Sequence, residues 1–327
     1  MLFKCRNCGG NVTYHPREGK MICESCSGEE CHEEITQEDS FKCVNCGSTL
    51  EVGEHVSATK CASCGAPLIV DPRIKYPYGP DLVMPFLIDK TAAVDMLREY
   101  AKNKLFIPGN FISAHTEDAM EGIYVPFWLY DYMSHISYFG IGVKIRRWTS
   151  GNTEYTETSR YQVQREMDVD FRRIPIDASI KMPDGMMDLL EPFDYSKLNT
   201  FQPTYLSGFE SEKYNMDPNE LQPRALRKAY DDANALLQQS LIGYNHMEGE
   251  KKNIQNNRTG NEFALLPVWN YKYHYNGKEY DFYLNGQSGK IVGKAPISTA
   301  RVIGLSVGLF ATLTAFIHCL EMLLEVL

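Results

Sequence analysis

Eight cysteines stand at positions whose spacing suits one chemistry, the coordination of a soft divalent metal by thiolates. Cys5, Cys8, Cys23 and Cys26 form a C-x2-C-x14-C-x2-C unit, and Cys43, Cys46, Cys61 and Cys64 repeat it 38 residues further on. One CxxC knuckle supplies two sulfurs at a fixed separation. Two knuckles joined by a hairpin supply the four that tetrahedral Zn2+ takes readily. The 14-residue spacer is just under the usual range of about 15–20 and still admits a β-hairpin. Gly9, Gly47 and Gly65 follow three of the four pairs, where glycine suits the tight turn that brings amides towards sulfur. The expectation is two zinc ribbons, 1–38 and 39–71, each closed on one structural Zn2+.

Other cysteine chemistry fits less well. A thioredoxin-type redox pair needs one CxxC opening a helix in an α/β pattern. A catalytic zinc keeps an open position, and four cysteines per unit fill the sphere. A unit below about 40 residues has too little core to fold alone, so the metal supplies its stability. Cys31 and His32 are left over, as alternative ligands or as surface residues between the ribbons. Nine of the ten cysteines precede residue 65. Met1 leads directly into a metal motif with no signal peptide, and clustered CxxC pairs in a chain that starts in the cytosol read as metal ligands.

The elements that carry these ribbons follow in order. Residues 72–81 are Pro- and Tyr-rich and read as a linker. Asp89 is placed to N-cap a helix over about 90–104, with Ala93, Leu97 and Tyr100 on one side. Strands are expected over 124–132, 135–148 and 153–170, the last two joined by Ser150-Gly151-Asn152. Residues 183–217 look irregular. Leu221, Leu226, Tyr230, Ala233, Leu237 and Leu241 recur at helical spacing and predict a helix over 218–242. Strands resume over 262–295, where Asn276-Gly277 signals a type I′ hairpin and Asn285-Gly286 a second turn. Pro126-Phe127-Trp128 and Pro267-Val268-Trp269 form a faint repeat, from two related β modules or the two halves of one sheet.

Residues 302–320 carry no formal charge, and thirteen of these nineteen are apolar. That is close to the roughly 20 residues a helix needs to cross a bilayer core. Lys290, Lys294 and Arg301 precede the span, and Glu321 and Glu325 follow it. The positive-inside rule then leaves residues 1–300 in the cytoplasm. Gly304 and Gly308 make a GxxxG pair, a hint of helix pairing.

Charge and missing motifs narrow the function classes. The net charge is −9, and residues 1–71 hold six Lys/Arg against eleven Asp/Glu. A Zn2+ with four thiolates adds further negative charge. Phosphate binding depends on Lys and Arg displacing counterions, so the ribbons are poorly made for DNA and better made for protein docking. There is no P-loop: Gly286-Gln287-Ser288-Gly289-Lys290 has the wrong spacing, with Ile291 where Ser or Thr is required, and reads as a turn. HExxH and G-x-S-x-G are also absent. Asp168 and Asp170 read as a solvated strand face. Pro126, Trp128, Pro267 and Trp269 read as core and strand-edge residues.

The paired knuckles, Val125-Pro126-Phe127-Trp128, Leu266-Pro267-Val268-Trp269 and the stretch YNGKEYDFYLNGQSGKIVGKAP at 275–296 resemble bacterial TFIIB-type zinc-ribbon-containing proteins, often labelled replication-restart or helicase-like. The resemblance implies a membrane-bound protein working beside SPFH-domain and phage-shock-type stress proteins. The combined expectation is an α+β chain in which two N-terminal zinc ribbons precede a β-rich domain (82–298), with two related strand modules and intervening helices, and a transmembrane helix (301–321). Its expected role is that of a non-enzymatic adaptor docking proteins at the cytoplasmic face of the cell membrane. The rival is a nucleic-acid-binding accessory of replication.

Overall fold

The computed structural model describes residues 1–29, 32–36, 42–53, 55–70, 79–113 and 115–326. Strands β1 (Leu2–Cys5), β2 (Val12–His15), β3 (Lys20–Cys23) and β4 (His32–Ile35) build the first ribbon. Strands β5 (Val56–Lys60) and β6 (Pro67–Ile69) build the hairpin of the second. A short β7 (Leu82–Val83) leads to helix α1 (Lys90–Lys102). Two long strands follow, β8 (Met120–Ser150) and β9 (Thr153–Asp177). Next come α2 (Asp184–Leu190), β10 (Asn199–Thr200), β11 (Glu210–Glu212) and the long helix α3 (Pro218–Ser240). The chain closes with β12 (His246–Tyr275), β13 (Lys278–Asn285), β14 (Ile291–Gly293) and α4 (Thr299–Val326).

Local chemistry explains the clearest elements. The Asp89 carboxylate accepts from the Ala92 N–H at 2.8 Å and starts α1, satisfying one of the donors a helix leaves free at its N-terminus. Asp217 and Glu220 form a reciprocal capping box at the start of α3. Asn276 (φ 51°) and Gly277 (φ 73°) take the left-handed conformation between β12 and β13, as a type I′ turn requires.

One ten-stranded sheet organises the molecule, in the order β10-β7-β12-β8-β11-β5-β6, with β9 on β8, β13 on β12 and β14 on β13. The two Pro-x-Trp segments lie side by side in it: Val125 faces Leu266, and Trp128 faces Phe263, across the antiparallel β8–β12 ladder. They are halves of one sheet. The Trp128 indole donates to the Met216 carbonyl at 3.1 Å. The Trp269 indole donates to the Ile88 carbonyl at 3.0 Å. Trp269 is a buried core residue and Trp128 a half-buried one packed against the core, both with satisfied N–H groups.

Beyond its base the sheet narrows to a three-stranded arm, β9-β8-β12. Register shifts on both sides of Asp131 mark where the arm begins, since a bulge bends its strand. Helix α3 covers one face of the arm through Ala225, Ala229, Ala233 and Leu237, packed on Tyr130, Tyr132, Ile136 and Tyr138. The contour from Ile123 to the turn at Gly151 is about 90 Å at about 3.3–3.4 Å per residue.

Three expectations change here. The strand expected from 262 starts at His246, because its first half alternates polar residues between the α3 face and solvent. The strands expected over 124–132 and 135–148 are one, since Ser134 continues the buried row and its hydroxyl bonds Asn256 at 2.5 Å. The 183–217 stretch contains α2, two 3-10 turns and two short strands, held by tertiary contacts such as buried Met187 and Leu190. Helix α4 includes a 22-residue apolar stretch, Thr299–Leu320, with mean hydropathy 1.9 and no burial against the body. By length and composition it suffices to span a membrane. Of the linker expected at 72–81, residues 72–78 lie outside the described residues.

Candidate metal centres

Each ribbon brings its four sulfurs together. The ligand atoms of Cys5, Cys8, Cys23 and Cys26 lie within 4.8 Å of one another, as do those of Cys43, Cys46, Cys61 and Cys64. In the first cluster Cys5 and Cys26 are 3.7 Å apart and Cys8 and Cys23 3.5 Å. In the second, Cys43 and Cys64 are 3.7 Å apart and Cys46 and Cys61 3.9 Å. A tetrahedron with Zn–S bonds of about 2.3 Å has S···S edges of about 3.8 Å. Both clusters fit a thiolate-bound ion of that size.

The backbone repeats one device at all four knuckles. The first cysteine's N–H donates to the carbonyl five residues on: Cys5 to Gly10, Cys23 to Gly28, Cys43 to Ser48 and Cys61 to Ala66, at 2.8–3.0 Å. The residue four positions on donates back to the first cysteine's carbonyl, from Gly9, Ser27, Gly47 and Gly65. That residue must turn left-handed, with φ of 73°, 55°, 74° and 70° respectively. Three positions hold glycine, which takes this conformation freely. Ser27 is the exception.

In each pair the first cysteine is buried and the second exposed, so each cluster sits at the edge of a packed layer. Supporting donors surround the second one. The Asn45 amide lies 3.4 Å from Cys64 sulfur. The Ser48 hydroxyl lies 3.1 Å from Cys46 and 3.4 Å from Cys61. Ser48 is the largest cause holding Cys61 down to about 6. The Cys26 main-chain N–H is the largest cause holding Cys23 to about 6. Burial pushes Cys43 up to about 12. A bound dication favours the thiolate form of every ligand, since metal binding releases their protons. Asn45 and Ser48 were not singled out from sequence. The 38-residue repeat carries a partial signal, since Asn7 and Asn45 both precede the second cysteine of a knuckle.

His32 lies opposite Cys5 in the β1–β4 ladder, with its ring edge-on to Phe3 at 5.6 Å. It belongs to neither cluster. Cys31 falls outside the described residues.

Neither ribbon is a free appendage. In the first, Phe3, Cys5, Val12, Tyr14, Met21 and Cys23 belong to the same core cluster as Phe86, Phe209 and Trp269. In the second, β5 pairs with β11, which pairs with β8, so that hairpin extends the main sheet. Between ribbons and sheet lies a cleft of about 430 Å³ lined by charges of both signs, among them Lys60, Lys90, Glu121 and Glu210.

The other flagged residues have plain roles. The Asp168 carboxylate accepts from His135 Nδ1 at 2.8 Å, and that of Asp170 accepts from Arg172 at 2.7 Å, both on the exposed arm. Residues 285–290 form a turn in which Asn285 Oδ1 accepts from the Gln287 and Ser288 N–H groups at 2.9 and 3.0 Å.

No family model matches the chain, so none supports a TFIIB-type or replication-restart label. No solved structure matches it. The chain is 33% identical over 327 residues to the uncharacterized protein YdjG of Bacillus subtilis (strain 168), covering 95% of this chain and 96% of that protein. The chain therefore belongs to the same family as YdjG.

Proposed function

We propose that this member of the YdjG family is a non-enzymatic, membrane-anchored adaptor that docks partner proteins at the cytoplasmic face of the cell membrane. One observation carries the reading. Each metal cluster has four thiolates spaced for a closed tetrahedron, which leaves no position for substrate or water and suits a structural ion. The two ions, taken as Zn2+, stiffen the layer at the sheet base. The arm, reaching about 65 Å by strand contour from Asp131 to the turn at Gly151, and the acidic ribbon surfaces are what the molecule offers to partners.

Helix α4 is the proposed anchor. Its apolar length supports one crossing, and Lys290 and Lys294 ahead of it, with Arg301 in its first turn, support a cytoplasmic body under the positive-inside rule. SPFH-domain or phage-shock-type proteins are the partners that the family resemblance implies, in a membrane-stress response.

The test uses the full chain in its own membranes. Carbonate washing is expected to leave it in the pellet. Cross-linking before solubilisation is expected to recover a defined protein partner, lost when metal is stripped by chelation. Release by carbonate would remove the anchor from the reading. A salt-dependent shift of DNA by the purified chain, with no protein partner recovered, would replace the adaptor with a nucleic-acid-binding protein.

A further inference from the structure

We propose that the turn after α1, centred on Leu105 and Phe106, joins Ile297 at the root of α4 to form a lipid-contacting foot that seats the body on an anionic bilayer. This rests on reading α4 as a membrane anchor.

The turn divides its side chains sharply. Ile107 and Phe111 are 3% and 1% exposed and belong to the main core. Leu105 is 71% exposed and Phe106 37%. The backbone beneath them is held firmly. The Tyr271 hydroxyl donates to the Phe111 carbonyl at 2.8 Å, and the Tyr273 hydroxyl donates to Asn110 at 2.8 Å. Leu105 and Phe106 are thus presented outward from a fixed base.

The same turn touches the start of α4. The Ser298 N–H donates to the Phe106 carbonyl at 2.8 Å. The guanidinium of Arg301 packs so close to Gly109 that a Cβ there would sit 3.2 Å from it. Ile297, 65% exposed, is therefore a neighbour of Phe106. Single exposed apolar residues are common on proteins. Here three meet at the root of a helix whose apolar stretch the body leaves entirely uncovered.

Charge selects a lipid occupant. Lys102 and Lys104 flank the turn on one side, and Lys294 and Arg301 on the other. Lys102 is also 3.4 Å from Glu99, and Lys104 lies over the Tyr100 ring at 5.4 Å. Apolar tips ringed by Lys and Arg beside a crossing helix match the headgroup region of a bilayer with anionic lipid. Register gives the consequence for the body. Met120 faces Tyr271 at the foot end of the sheet, while Gly151 closes the arm at the far end, so the foot directs the arm tip away from the surface.

The test reconstitutes the full chain into phosphatidylethanolamine–phosphatidylglycerol vesicles. Photoreactive benzoylphenylalanine replaces Leu105, Ile297 or, as the arm control, Phe139. Each variant is checked for unchanged metal content. Irradiation is expected to give lipid adducts at 105 and 297 and none at 139. The double substitution Lys102→Glu, Lys104→Glu is expected to lower the yield at 105 by about threefold or more, because it removes the attraction to anionic lipid. Protein adducts at 105, no adducts there, or equal lipid adducts at 139 would overturn the foot while the chain still resists carbonate. Release of the chain by carbonate would overturn the anchor and the foot together.

Discussion

The Ser207 hydroxyl donates a buried 2.6 Å hydrogen bond to the Val12 carbonyl, 195 positions away. The Ser207 carbonyl in turn accepts from the Tyr14 N–H at 2.9 Å. These two bonds, beside the Tyr14–Tyr205 ring contact at 5.1 Å, tie the first ribbon to the sheet domain.

Ser207→Ala leaves a buried carbonyl without its hydroxyl donor. The expected cost is about 1–3 kcal/mol, measured by denaturant unfolding of the full chain in detergent. Metal content is expected to stay unchanged, because the cysteines keep their own knuckles.

The metal prediction is stoichiometric. Elemental analysis of the full chain is expected to find zinc in both four-cysteine clusters. Cys5→Ser is expected to empty the first cluster only, and Cys43→Ser the second only. Loss of both ions from either variant would mean that the sites fold as one unit.

Ser27 holds a left-handed conformation that its three counterparts fill with glycine. The left-handed helical region costs a residue with a Cβ about 1–2 kcal/mol. Ser27→Gly is expected to recover part of that, and Gly47→Ala to lose a similar amount. Thermal melts of the two variants against the parent check the opposite signs.

Asp177 is fully buried and lies 2.8 Å from Arg224, which also meets Asp184 and Asp188. Burial raises its carboxyl to about 6, and Arg224 only partly opposes the shift. The folded state therefore holds a proton that the unfolded chain has released between about pH 4 and pH 6. The stabilising contribution is full below about pH 4 and is lost as the pH rises through about 6. Its slope is at most about 1.4 kcal/mol per pH unit. Asp177→Asn is expected to remove this slope, read as the difference between parent and variant unfolding from pH 4 to pH 7.

Several elements were legible because their determinants are local. Asp89 caps the helix it precedes, Asn276-Gly277 turns where two φ-tolerant residues meet, and α3 follows its own apolar period to Ser240. The first half of β12 was not legible. Its residues 246–261 are mostly polar, and their strand state comes from pairing with β8, a partner more than a hundred positions earlier.

By itself the sequence determined both four-cysteine sets that could each hold a metal ion. Four thiolates at C-x2-C-x14-C-x2-C spacing need only a hairpin to converge, and that is a matter of a few bonds per knuckle. It also determined the apolar length of α4, which composition alone sets. Only the tertiary structure decided where these parts stand. The second ribbon joins the main sheet because β5 finds β11 some 150 residues on. The two Pro-x-Trp segments become neighbours across one ladder. The turn at Leu105 meets the root of α4 through one bond from Ser298 to Phe106. Each of these is a contact between segments far apart in the chain, where the hydrogen-bonding capacity of a backbone or edge does not name its partner, and packing selects it.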